Sequence, residues 1–104
     1  MCTWLCVLLR PLHETIHCHS EAWGTFLDAK VNAPEVLSAE LARRREPLKE
    51  AVFLSSVTDA YQPPERKYRL TRRLLEVLLE HQVPISILTK SDLVLRDMDL
   101  LERF

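Results

Sequence analysis

The longest regular pattern of apolar and polar positions lies between residues 65 and 82. Thr71, Leu74, Leu75, Leu78 and Gln82 share one helical face, with Leu70 and Val77 alongside, while Arg69, Arg72, Arg73, Glu76 and Glu80 cover the other. Apolar residues recurring at three- and four-residue intervals predict an amphipathic helix, and Arg72 and Glu76, four apart, can pair along it. Val83-Pro84 ends it. Upstream, residues 51–57 (AVFLSSV) form an apolar, partly β-branched run of strand length, the pattern of a buried parallel strand. Residues 85–89 (ISILT) predict a further strand. Residues 92–103 return to helical spacing, with Leu93, Leu100 and Leu101 apolar and Arg96, Asp97, Asp99, Glu102 and Arg103 polar.

Ahead of these, residues 26–31 (FLDAKV) predict a short strand and residues 32–45 a helix. Asn32 can cap that helix, Pro34 suits its first turn, and Arg43, Arg44 and Arg45 complement the negative end of its dipole before Pro47 stops it. Residues 58–64 (TDAYQPP) read as a loop whose prolines can open the next helix. Residues 1–25 have no period and read as an irregular segment, leaving 26–104 as one β/α domain. Strands alternating with helices predict an α/β fold of about three parallel strands joined by right-handed crossovers. Ligands of such sheets gather at the carboxyl ends of the strands. Thr58 and Asp59 stand at one such end, Lys90 and Ser91 at another. An acid there can hold an ammonium, and a lysine can hold a carboxylate or phosphate.

Composition narrows the setting. The 104 residues make one small domain, 47% hydrophobic and 28% charged, with a formal net charge of -1 that supplies no strong field for nucleic acid or an anionic membrane. Cys2, Cys6 and Cys18 are an odd set without a secretory leader, which argues against a disulfide framework and for the cytoplasm. Residues 1–9 are apolar but far too short to span a bilayer, so no membrane partner is expected. A single glycine, Gly24, is few for a parallel α/β enzyme and suggests missing or altered loops. His13, His17 and His19 lack surrounding carboxylates and read as a solvated loop rather than a metal site. Arg66, Lys67, Arg69, Arg72 and Arg73 could meet a nucleic-acid phosphate, but interspersed glutamates favour a solvated helix face.

Four segments in this order and spacing carry a resemblance: RPLHE (10–14), KVNAPEVL (30–37), VTDAYQPPERKYRLTRRLLEVL (57–78) and ILTKSDLVLRDMDLL (87–101). Together they resemble radical S-adenosylmethionine proteins of the spore photoproduct lyase-like group, over roughly residues 10–104. The resemblance implies a partial (β/α) barrel, a 4Fe–4S cluster and S-adenosylmethionine that together generate a 5′-deoxyadenosyl radical, and a parent enzyme acting on DNA or another nucleic acid. It places Thr58 and Asp59 at the cofactor's amino group, and Lys90 and Ser91 toward its carboxylate or ribose. No catalytic residue is identified by it.

The sequence departs from that group at the cluster motif, where three cysteines spaced C-x-x-x-C-x-x-C would hold the iron. Cys2 and Cys6 have the first spacing, but Leu9 stands at the third position; anchoring on Arg10-Pro11 puts Val7 there instead. No metal ligand is therefore assigned, and neither cluster nor cofactor is expected to assemble in this chain alone. Ala60 replaces the group's usual proline, which is expected to loosen the loop, and Ser55 and Ser56 stand near its usual glycine or threonine. The chain reads as part of a longer enzyme, inactive by itself and prone to self-association through Val52, Leu54, Ile85 and Ile87. The alternative is a small cofactor-free α/β binding or scaffolding domain.

Overall fold

Two short parallel strands, with helices laid over one face, form the framework. The computed structural model describes residues 29–55 and 58–104. In chain order these form α1 (Ala33–Arg43), β1 (Val52–Leu54), α2 (Glu65–Tyr68), α3 (Leu70–Glu80), β2 (Ile85–Ile87), a 3-10 helix (Asp92–Asp97) and α4 (Met98–Leu101). β1 and β2 pair in parallel, with Val52 opposite Ile85, Phe53 opposite Ser86 and Leu54 opposite Ile87. A parallel pair needs a long crossover, which α2 and α3 provide.

The expected α/β architecture is present, but among the described residues it has two strands rather than three and does not form a barrel. Residues 29–31, the described part of the expected first strand, are coil and turn, and Val31 is exposed. Residues 26–28 lie outside the described residues, as does the irregular segment 1–25 with Cys2, Cys6, Cys18 and the three nearby histidines.

Alternation along β1 sends Val52 and Leu54 into the core, where they meet Leu37 and Leu41 of α1, Leu75 and Leu78 of α3, Val83 and Leu100. Of the four residues expected to be exposed in some combination, Val52 and Leu54 are therefore not open for association. Ile85 and Ile87 are half-buried on the same face and, with Thr89, Val94, Leu101 and Phe104, line a shallow apolar groove beside β2. α1 is held to α3 by an ion pair of Glu35 with Arg73, whose Nη1 also donates to the Val31 carbonyl at 3.3 Å. Asn32 occupies the cap position of α1 without making a side-chain cap, and the helix ends at Arg43 because Arg44 turns extended.

The long helix expected over residues 65–82 is broken. Arg69 adopts a left-handed conformation, φ 51°, ending α2 and starting α3. The break leaves the first amides of α3 without intrahelical partners. The buried Glu65 carboxylate supplies one: its Oε1 accepts the Thr71 N–H at 2.9 Å and the Arg72 N–H at 3.3 Å. A carboxylate one turn back does the work of a local cap and favours the positive end of the helix dipole. The buried face of α3 is otherwise as the periodicity predicts: Thr71, Leu75 and Leu78 are buried, and Arg72 reaches Glu76 at 3.5 Å.

At its other end α3 closes in a Schellman motif. The Val83 N–H donates to the Leu78 carbonyl at 2.9 Å and the Gln82 N–H to the Leu79 carbonyl at 3.0 Å, with Gln82 left-handed at φ 55°. Val83 and Leu78 supply the buried apolar contact that accompanies this motif. Left-handed backbone costs a residue with a Cβ about 1 kcal/mol or more, which glycine avoids. Gln82→Gly is therefore expected to stabilise the protein by roughly 0.5–1 kcal/mol, read as a higher denaturant midpoint at unchanged slope.

Candidate functional site

Asp59 stands where the two strands deliver their carboxyl ends. Its Oδ1 accepts the Tyr61 N–H at 2.9 Å, the local Asx turn of an aspartate two residues ahead of an amide. The same oxygen accepts the Thr89 hydroxyl at 2.7 Å, and Oδ2 accepts the Lys90 N–H at 3.0 Å. The carboxylate thus clasps the segment after β2 to the loop after β1. Two ionised oxygens offer about four acceptor positions, of which these bonds fill three and, among the described residues, leave one on Oδ2. The Thr89 hydroxyl bond first, then the Lys90 and Tyr61 amides, hold the Asp59 carboxyl below its ordinary range. It is ionised at neutral pH and can accept one further donor.

The loop carrying Asp59 is held on several sides. Ser55, left-handed at φ 81°, accepts the Ala60 N–H on its Oγ at 2.9 Å. Thr71 Oγ1 donates to the Ala60 carbonyl at 2.6 Å. Alanine at 60 was expected to loosen this loop, yet both polar groups of its backbone are bonded. Proline has no N–H to give to Ser55, so the bond exists because alanine is there.

Of the four residues assigned from sequence, the structure brings Asp59 and Lys90 together, through the Lys90 backbone, while the Lys90 side chain is exposed. Ser91 is a cap: its Oγ accepts the Leu93 N–H at 3.2 Å at the start of the 3-10 helix, and its own N–H donates to Thr89 Oγ1 at 3.1 Å. Thr58 lies exposed in the bend before Asp59. Thr89 escaped the sequence reading, although it ends the predicted strand and neighbours Lys90, and Ser55 was noted there only as a departure from the group's usual residue.

Behind the loop lies a buried ionic cluster. Asp97, with no exposed surface, accepts Arg72 Nη1 at 3.0 Å and Arg96 Nε at 2.9 Å on Oδ1, and Arg96 Nη2 at 2.8 Å and the Tyr61 hydroxyl at 3.1 Å on Oδ2. Its acceptor capacity is full. Burial opposes its ionisation, but the bonds from Arg96, Arg72 and Tyr61 outweigh that and hold it below the usual carboxylate range. Burial, and then the Asp97 charge, push the Tyr61 phenol well above its ordinary value, so it remains a donor. Arg96 also reaches Glu65 Oε1 at 3.0 Å, and Arg72 forms a two-pronged pair with Asp99 at 3.0 and 2.8 Å.

Asp97 was assigned from sequence to a polar helical face, and the structure reverses that. Residues 92–97 wind at three per turn, so Val94, Asp97 and Leu100 fall on one side, and Leu100 is buried there with Asp97. A sign was present in the spacing: Asp97 stands four residues after Leu93 and three before Leu100, inside the apolar pattern. Of the basic cluster noted in sequence, Arg72 and Arg73 are engaged internally, while Arg66, Lys67 and Arg69 are exposed. Among the described residues no cluster of His, Cys, Asp and Glu is arranged to hold a metal ion, and no helix is long and apolar enough to cross a membrane.

The chain is similar to the uncharacterized protein MJ0683 of Methanocaldococcus jannaschii, 42% identical over 82 residues that cover 79% of this chain and 29% of that protein. It is 37% identical over 93 residues to the uncharacterized protein Rv2578c of Mycobacterium tuberculosis, covering 88% of this chain and 27% of that protein, and equally so to Mb2609c of Mycobacterium bovis. The chain therefore spans less than a third of the length of these curated relatives. No family model matches it, and no solved structure matches it significantly.

Removing one member of a buried ionic cluster strands the others. Asp97→Ala is expected to destabilise the protein by about 3–5 kcal/mol, measured by denaturant unfolding. Acid should act through the same groups. The Arg72 bonds hold Asp99 down at about 2, and Asp97 and Asp59 are also lowered. Unfolded aspartates take up protons near pH 4 while these folded ones resist, so their stabilisation is complete above about pH 4 and is lost as pH falls toward 2. Thermal melts from pH 7 to pH 2 should show that decline, and Asp99→Asn should flatten its lower part.

Proposed function

We propose that this chain is part of a radical S-adenosylmethionine enzyme of the spore photoproduct lyase-like group, and that it contributes a strand-end site where Asp59 receives the cofactor's ammonium. The observation that carries this reading is the Asp59 carboxylate itself: ionised, at the carboxyl ends of two parallel strands, with neutral donors on three acceptor positions and, among the described residues, a fourth open. An ammonium donor is the complement of that charge. The long motifs through residues 57–78 and 87–101 support it, because their polar residues complete one another's hydrogen bonds: Asp59 with Thr89 and Lys90, Tyr61 with Asp97, Glu65 with Arg96.

The cofactor fits this chain at its ammonium, where it would supply the radical chemistry of that group. Lys90, exposed beside Asp59, would face its carboxylate, and the capping role of Ser91 takes that hydroxyl out of ligand contact. The cluster does not fit: three thiolates are required, and Leu9 or Val7 stands where the third would be. No reaction step is assigned to this chain alone. The parent enzyme would act on DNA or another nucleic acid in the cytoplasm.

A second reading has its own observation. The groove lined by Ile85, Ile87, Val94, Leu101 and Phe104 runs beside a strand whose outer edge has no described partner. An apolar strip along a strand edge suits strand addition, so a cofactor-free binding or scaffolding domain would use that surface.

Calorimetric titration of the purified chain with S-adenosylmethionine separates the two. The proposal departs from the expectation that no cofactor assembles on this chain alone: it expects binding through Asp59 without the cluster, weakened about 10- to 100-fold by Asp59→Asn through loss of a charged hydrogen bond worth roughly 1.5–3 kcal/mol, and no cofactor cleavage under reducing conditions. Absence of binding, by a chain that sediments as a monomer and unfolds cooperatively, favours the second reading.

A further inference from the structure

We propose that Tyr61 and Asp97 are positioning residues for Asp59: the buried hydrogen bond between them sets where the Asp59 carboxylate stands at the strand ends. The inference rests on reading Asp59 as the ligand-holding group. Tyr61 is 2% exposed, and its two polar ends bond to two different aspartates. Its backbone N–H donates to Asp59 Oδ1 at 2.9 Å, and its hydroxyl donates to Asp97 Oδ2 at 3.1 Å. Ring and amide belong to one residue with two side-chain torsions, so anchoring the hydroxyl restricts where the amide can lie. Asp97 is in turn tied to α3 through Arg72 and to the 3-10 helix through Arg96. Asp59 is thereby registered against the helical layer as well as against its own loop.

The phenol is not required to neutralise Asp97. Arg96 binds both of its oxygens and Arg72 binds one, so two cations already surround the charge. A phenylalanine would fill the same volume and spare a buried hydroxyl its desolvation. What the hydroxyl adds is direction. The Thr71 bond to the Ala60 carbonyl, 2.6 Å, holds the intervening peptide from the same helix, so residues 60 and 61 are anchored at two points to α3 and its ionic partners.

The experiment is carbon-detected NMR titration of the Asp59 carboxyl in the whole chain, wild type against Tyr61→Phe, with the Lys90 amide shift as a second reporter. Asp59 is faced by Thr89 and Lys90 from the segment after β2 and by Tyr61 from its own loop; the charged side chain among these, Lys90, is exposed. Thr89→Val, which deletes a direct donor, is the positive control and raises the midpoint. Tyr61→Phe is expected to raise it toward the ordinary carboxylate range, in the same direction as Thr89→Val, and to move the Lys90 amide. A folded Tyr61→Phe protein with the wild-type midpoint and an unmoved Lys90 amide overturns the proposal and leaves Tyr61 a packing residue. Should that variant not fold, Asp97→Glu, which keeps the charge but shifts the acceptor by one methylene, is read in the same way. Failure of the wild-type chain to bind S-adenosylmethionine overturns the functional reading of Asp59 but leaves this titration decisive for the coupling.

Discussion

A carboxylate sealed from water between two guanidinium groups and a phenol organises this chain. Asp97 draws Arg72 from α3, Arg96 from its own 3-10 helix and Tyr61 from the loop after β1. Arg96 carries the network on to Glu65, whose carboxylate caps α3 across the break at Arg69. Buried ion pairs add little net stability over apolar packing, because desolvation offsets much of the attraction. Their geometry is demanding, however, and a half-made cluster is worse than none. The cluster therefore specifies which way the crossover turns and where the C-terminal segment lies, while Leu75, Leu78, Leu41 and Leu54 supply the apolar burial.

Two aspartates in this small protein have opposite fates, and counting acceptors separates them. Asp97 is saturated by four donors, two of its partners cationic, and is wholly buried. Asp59 has three neutral donors and partial exposure at the strand ends. Its charge is oriented without being matched, which is the condition of a group that can take a cationic partner. Both carboxyls lie below their ordinary range, so the shift alone would not distinguish a structural acid from a ligand-binding one.

Turns here are made without glycine. Ser55, Arg69 and Gln82 take the three left-handed positions among the described residues. At Ser55 the side chain compensates by accepting the Ala60 amide, and at Arg69 the side chain of Glu65, four residues back, receives the amides that the break releases. Gln82, exposed, sits in a motif whose hydrogen bonds are all backbone. The scarcity of glycine that composition suggested would impair the loops is thus met locally by side chains at two of the three positions.

The sequence by itself determined the alternation of parallel strands and helices, the buried face of α3, the stop at Pro84 and the location of Asp59 and Lys90 at strand ends. Each follows from short-range rules: periodicity, proline geometry, and the way a crossover delivers strand ends to one side. It did not reveal the break at Arg69, the inward turn of Asp97, or the use of Ser91 as a cap. Glu65 meets Thr71 six residues away and Arg96 thirty-one away, and Tyr61 meets Asp97 across thirty-six. Local spacing treats a charge as a solvated side chain. Only tertiary structure decides otherwise, because a buried carboxylate becomes favourable when distant cations converge on it at once.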